Sequence, residues 1–233
     1  MMIRWNDESI RLMVDSLEYT GFAAQQCQML LPHLSPTDTV MEAGSGIGYL
    51  TREMAEHAAK VISVEFDGTA SSYLQKRVKE EGLSNIRAEN ADAFTFDPKE
   101  RVDVLVCCRF GSMEEVLSIA KNVGAKKVLV LSLANKRHRV SAQGKGAEVQ
   151  EYCRPNLLTE QGIEYTEEYF TLQNGQPLRS LEDAVAFFKM YDRKGADITV
   201  DSVRPALIPD PKGEYERYYP MESRFRLIAF EMK

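Results

Sequence analysis

The chain has 233 residues, 44% of them hydrophobic and 27% charged, with a formal net charge of −6 at pH 7. That length and apolar fraction suit one large domain, or one with a small cap, and exclude a disordered or fibrous chain. The acidic balance argues against a broad nucleic-acid surface, no apolar run is long enough to span a membrane, and the N-terminus lacks the apolar stretch of a signal peptide.

The first predicted element is a helix capped by Asp7 that carries Ile10, Leu12, Met13, Val14 and Leu17 and is broken at Thr20-Gly21. A second helix carries Phe22, Ala23, Cys27 and Leu30 and stops before Pro36. Trp5 reads as a terminal packing anchor. Strands are expected at 39–43, 61–65, 85–89, 102–107 and 127–133, with helices near 48–58, 68–82 and 113–123. This alternation predicts a parallel sheet covered on both faces, with any ligand beyond the carboxyl ends of its strands. The fifth strand runs into a basic stretch, Lys136 to Arg139, and then Ser141 to Gly146. That stretch reads either as an anion clamp or as a solvated loop, with His138 a candidate base. Residues 147–173 read as a helix and then an extended segment over Glu164 to Leu172, followed by an Asn174-Gly175 turn. A helix starts at Ser180 and carries Ala184, Phe187, Phe188 and Tyr191. Four prolines within residues 201–222 predict a long ordered loop, and Arg224 to Met232 a final strand. Four cysteines without C-x-x-C spacing and three scattered histidines suggest no metal site and fit a reduced, cytoplasmic protein.

The stretch from Asp38 to Tyr49, D-T-V-M-E-A-G-S-G-I-G-Y, is a strand, a glycine turn and a helix start in succession. Glycines let a ligand approach the backbone closely, and the N–H groups opening the helix favour a polar or anionic group. Glu65 closes the next strand, where an acid accepts hydrogen bonds from ribose hydroxyls. The dinucleotide pattern is G-x-G-x-x-G. Here the order is Glu42-x-Gly44-x-Gly46-x-Gly48, with an acid ahead of the glycines. This resembles motif I of the class I S-adenosylmethionine (SAM) dependent methyltransferases, and a NAD-type reading is its rival. Asn90-Ala91-Asp92-Ala93 is similar to the family's third motif, and Val102 to Cys107 falls where its fourth strand belongs. The resemblance covers about Thr39 to Leu133 well and the rest loosely.

The resemblance implies a doubly wound, mostly parallel seven-stranded α/β sheet with the seventh strand between the fifth and sixth. Residues 1–38 would be a helical lead-in or lid, and 39–233 the SAM-binding domain, with 173–223 an insertion on the substrate side. It implies SAM as cofactor. Gly44, Ser45, Gly46 and Gly48 would pass under the sugar and methionine portions. Glu42 would contact the methionine ammonium or hold the loop, and Glu65 would accept from the ribose diol. Phe66 would pack on the adenine face, Asp92 would accept from its amine, the Ala93 N–H would serve a ring nitrogen, and Ala91 would belong to the same cofactor contact. Cys107 closes strand four beside the cofactor. Tyr19 would either reach the methionine carboxylate or only pack the helix pair. Arg109 is placed to hold an anionic substrate group.

The expected function is methyl transfer from SAM to a small molecule, an anionic one being favoured by Arg109. No catalytic base is named by the sequence. The N/D-P-P-Y or N-L-P-Y motif of base-methylating enzymes is missing after strand four, which disfavours a nucleic-acid partner, and no membrane partner is expected. Two alternatives stand beside this reading. One is an RNA adenine methyltransferase, since the glycine turn and Glu89-Asn90-Ala91-Asp92-Ala93 also resemble RNA adenine dimethylases. The other is a SAM-binding protein without transfer activity.

Overall fold

Helix α1 (Asp7–Thr20) is capped by Asn6, one residue before the expected Asp7, in the computed structural model, which describes residues 4–134, 153–192 and 197–232. The Asn6 carboxamide accepts from the Ser9 N–H, and the Ser9 hydroxyl accepts from the Asn6 N–H, so two otherwise unpaired donors are satisfied. Gly21, left-handed at φ 61°, ends α1, and α2 (Phe22–Leu30) follows at once.

Strands and helices then alternate: β1 (Thr39–Ala43), α3 (Tyr49–Ala55), β2 (Lys60–Glu65), α4 (Gly68–Glu81), β3 (Ile86–Asn90), β4 (Val104–Cys108), α5 (Met113–Val123) and β5 (Lys127–Leu133). A short α6 (Asn156–Glu160) leads to β6 (Tyr165–Gln173), and β10 (Glu222–Glu231) closes the chain. The sheet has seven strands in the order β3-β2-β1-β4-β5-β10-β6. β1 to β5 pair in parallel, and β10 runs antiparallel to β5. This is the expected sheet, with the last strand in the expected place. The central strands can be near-continuous apolar runs because both of their faces are buried: Met41, Ile62 and Leu105 are fully enclosed. Helix α5 is capped reciprocally by Ser112 and Glu115 and buries Val116, Leu117, Ile119 and Ala120.

The chain divides into two compact units. The sheet unit comprises 23–134, 151–170 and 225–233, so α2 belongs to it. The other unit gathers α1 with Thr171–Arg224. Within it β7 (Gln176–Leu178), β9 (Arg217–Tyr219) and β8 (Ile208–Pro209) form a three-stranded sheet in that order. Helices α7 (Leu181–Tyr191) and α8 (Val200–Val203) complete it. Its core is Leu12, Leu178, Phe187, Phe188, Val203 and Tyr219. The long loop expected over 201–222 is therefore corrected: that stretch contains a helical turn and two strands. Strands of two or three residues are too short to show alternation, and their pairing, such as Pro177 opposite Tyr218, follows from aromatic packing rather than local pattern. Among the described residues no helix is long and apolar enough to cross a membrane.

Candidate cofactor site

Strand β1 delivers Glu42 and then the glycine turn. The Gly44 and Ser45 N–H groups both donate to the Val64 carbonyl, at 2.8 and 3.3 Å, which ties the turn to the end of β2. Gly44 sits at φ +72°, and a Cβ there would lie 2.2 Å from the Phe110 ring, so only glycine allows that ring to rest on the loop. A Cβ on Gly48, at φ +76°, would strike Leu74 of α4 at 2.4 Å. The Ser63 hydroxyl donates to that of Ser45 at 2.6 Å.

Glu65 stands where the sequence placed it. One carboxylate oxygen accepts from the Gly46 N–H at 2.7 Å and the other from the Asp67 N–H at 2.8 Å. Each oxygen keeps a second lone pair, so the carboxylate is held in place and can still accept from a diol. The Asn90 carboxamide donates to the carbonyls of Glu65 and Phe66, 2.9 Å each, and fixes the end of β2. Phe66 is 72% exposed, an unusual state for a large apolar ring and one suited to stacking. Asp92 is exposed just beyond β3, where its carboxylate accepts from the Phe94 N–H at 3.0 Å, and the Ala91 N–H donates to the Glu65 carbonyl. Ala93 is buried beside them.

Glu42 is enclosed, and its carboxylate accepts from the Thr51 hydroxyl on α3. That contact ties the end of β1 to α3, across the glycine turn that joins them. Burial pushes the Glu42 pKa up to about 7, partly offset by the Thr51 hydrogen bond and reinforced by the negative charge of Glu65.

Cys107 requires a correction. Strand β4 ends one residue later than expected, at Cys108, and side chains alternate between faces. Cys107 therefore points into the core with Met41, Ile62 and Leu105, fully buried, and burial pushes its thiol well above the usual range. Cys108 points to the opposite face and receives the Gln26 side-chain N–H at 3.2 Å. Arg109 is exposed past the strand end in a left-handed conformation, φ 53°, and its N–H donates to the Leu131 carbonyl at 2.7 Å. Tyr19 belongs to the other unit. There it donates to Asp210, packs edge-on against Tyr215 and carries the Lys212 ammonium 3.9 Å from its ring centre. The basic stretch from Lys136 to Gly146, with His138, lies outside the described residues.

The sequence reading missed Phe94 and Phe110. Their rings lie 5.9 Å apart at 31°, Phe94 is 41% exposed, and Phe110 covers Gly44. The signal available was an aromatic residue shortly after each strand-end motif.

A strand-end carboxylate held by the glycine turn, an exposed ring beside it and a second acid one strand over fit an adenosine with a cationic tail. A family model for ribosomal RNA adenine dimethylases matches residues 7–131, from α1 through every strand-end residue just described. The chain belongs to this family. Its members are SAM-dependent methyltransferases, so the cofactor is SAM. Two ribosomal RNA small subunit methyltransferases A illustrate the likeness. That of Dehalococcoides mccartyi is 40% identical over 67 residues, covering 29% of this chain and 22% of the relative. A protein named as probable in the same activity, from Methanosarcina acetivorans, is 44% identical over 64 residues, covering 28% and 23%. The chain thus spans about a fifth to a quarter of these relatives' lengths. The fold is shared with a SAM-dependent methyltransferase of Aquifex aeolicus, TM-score 0.54 and 14% identity over 98% of this chain and 100% of that one. A Thiobacillus denitrificans methyltransferase, solved with S-adenosyl-L-homocysteine, gives a TM-score of 0.51 and 14% identity over 90% and 91%. These matches overturn the small-molecule acceptor and the exclusion of nucleic acid. Net charge over a whole chain says little about one groove, and the missing tetrapeptide was given more weight than the motifs that are present.

Proposed function

We propose that the chain is a SAM-dependent RNA methyltransferase that acts on the exocyclic amine of adenine in ribosomal RNA. The family match over residues 7–131 carries the reading. Within the site, Gly44 to Gly48 and Glu65 hold the ribose and methionine portions of SAM, while Phe66, Asp92 and the Ala93 backbone hold its adenine. When bound, SAM would supply an electrophilic methyl group to the lone pair of the acceptor nitrogen, with the sulfur keeping the electron pair of the broken C–S bond. The nitrogen then gives up a proton to water, so alignment and exclusion of bulk water are the protein's main tasks. Phe94 and Phe110 offer ring faces for an unstacked base, a contact worth about 1–3 kcal/mol per base. Arg109, exposed beside them, suits a phosphate of the RNA backbone. The N-L-P-Y of base-methylating enzymes is absent from the stretch after β4, Cys107 to Ser112, so the groups that receive the base differ from the usual set. Four free cysteines fit the reduced cytoplasm, where ribosomal RNA is found.

The test is mass spectrometry of nucleosides from small-subunit ribosomal RNA incubated with the purified chain and SAM. Methylated adenosine is expected, with S-adenosylhomocysteine in proportion. SAM binding without methylated adenosine would instead favour a binding protein that does not transfer.

A further inference from the structure

We infer that the Gln26 carboxamide oxygen is the acceptor that orients the target amine, in the place where this chain carries a thiol. The inference rests on the RNA-adenine reading above. Gln26 lies on α2 and is 4% exposed, with its amide oxygen still open to solvent and so to a ligand. Its donor end meets the Cys108 sulfur at 3.2 Å. A thiol is a weak acceptor, and burial keeps this one neutral, pushed up to about 11. The contact therefore orients the amide without satisfying it. Among the described residues nothing donates to the amide oxygen.

Position supports the role. Ala43 pairs with Cys107, so the next residues, Gly44 and Cys108, lie side by side at the carboxyl ends of β1 and β4. Glu42 and Cys108 share one face of the sheet, because each is one or more whole pleats from the other's partner. Its contact with Cys108 thus puts Gln26 at the carboxyl end of β4, the edge of the sheet where a ligand binds. Glu42 is enclosed and accepts from Thr51, and the lone pairs that Glu65 keeps beyond its two backbone N–H bonds are those assigned to the ribose diol. An amine N–H donated to a carboxamide oxygen turns the nitrogen lone pair towards the methyl carbon. A carboxamide also stays neutral at pH 7, so it aligns the amine without taking its proton.

The experiment compares the wild type with Gln26→Leu and Gln26→Glu on ribosomal RNA at saturating SAM. SAM affinity is measured by titration, and an RNA carrying purine riboside, which lacks the amine, serves as a competitor. Gln26→Leu is expected to lower methyl transfer about a hundredfold while SAM affinity stays within threefold. It should also bind adenine and purine RNA equally, where the wild type prefers adenine by about tenfold. Gln26→Glu keeps the shape and an acceptor and is expected to recover at least a tenth of the activity. Transfer by Gln26→Leu within threefold of wild type, or a loss of SAM affinity that matches the loss of activity, overturns the assignment. If the wild type itself leaves adenosine unmethylated, the RNA reading falls and the role of Gln26 with it. An active wild type with an unaffected Leu variant overturns the role of Gln26 alone.

Discussion

The carboxyl edge of the seven-stranded sheet and the unit built from α1 with Thr171–Arg224 were made by different rules. At the sheet edge each functional group is fixed by the end of one strand: Glu42 and the glycine turn by β1, Glu65 by β2, Asp92 by β3, Cys108 and Arg109 by β4. In the other unit, no strand has a sequence signal of its own. Its order comes from aromatic packing among Phe187, Phe188 and Tyr219 and from charged groups such as Arg11 and Arg179 converging on Asp15 and Asp183. A site on strand ends is written in local motifs, whereas a small aromatic core is written only in contacts between distant residues.

Substitutions can separate the two. The largest effect is expected from Phe187→Ala, which removes a ring that is 2% exposed: a loss of about 3–5 kcal/mol in chemical denaturation. SAM affinity of the protein that stays folded should remain within threefold. A parallel collapse of SAM binding would show that the two regions are one energetic unit. Gly44→Ala places a methyl group against the Phe110 ring at a left-handed position. SAM affinity in calorimetry should fall about a hundredfold, ~2.7 kcal/mol, with little change in the aromatic core as read by tyrosine fluorescence.

Glu42 gives a pH-dependent effect. Its ordinary value of 4.5 is raised to about 7, chiefly by burial, so the folded protein binds the proton more tightly than the unfolded chain. Below about pH 4.5 the group is protonated in both states and its favourable contribution is complete. As pH rises towards about 7, folding must enclose a charge, and stability falls by ~3 kcal/mol, then stays level. Glu42→Gln carries no titrating proton and should remove this slope from thermal melts between pH 4.5 and 7. An unchanged slope would place the titrating group elsewhere.

Legibility follows the same division. The sheet order, the glycine turn, Glu65 and Asp92 could be read because parallel strands are long apolar runs ending in recognisable residues. Cys107 failed by one residue, and a one-residue shift in a strand moves a side chain to the other face. Gln26 could not be read, since it lies on a helix whose own pattern is ordinary, whereas Phe94 and Phe110 did leave a signal, an aromatic shortly after a strand-end motif. The short strands β7, β8 and β9 were hidden for the same reason as their core: prolines and two-residue pairings leave no period to detect.

The most direct measurement is titration of the purified chain with SAM and with NAD, in parallel with Glu65→Ala. SAM should bind in the micromolar range, NAD should give no heat, and the variant should bind SAM at least tenfold more weakly, ~1.4 kcal/mol. NAD binding without SAM binding, or a Glu65→Ala variant that holds SAM as tightly as the wild type, would contradict a SAM site built on these strand ends.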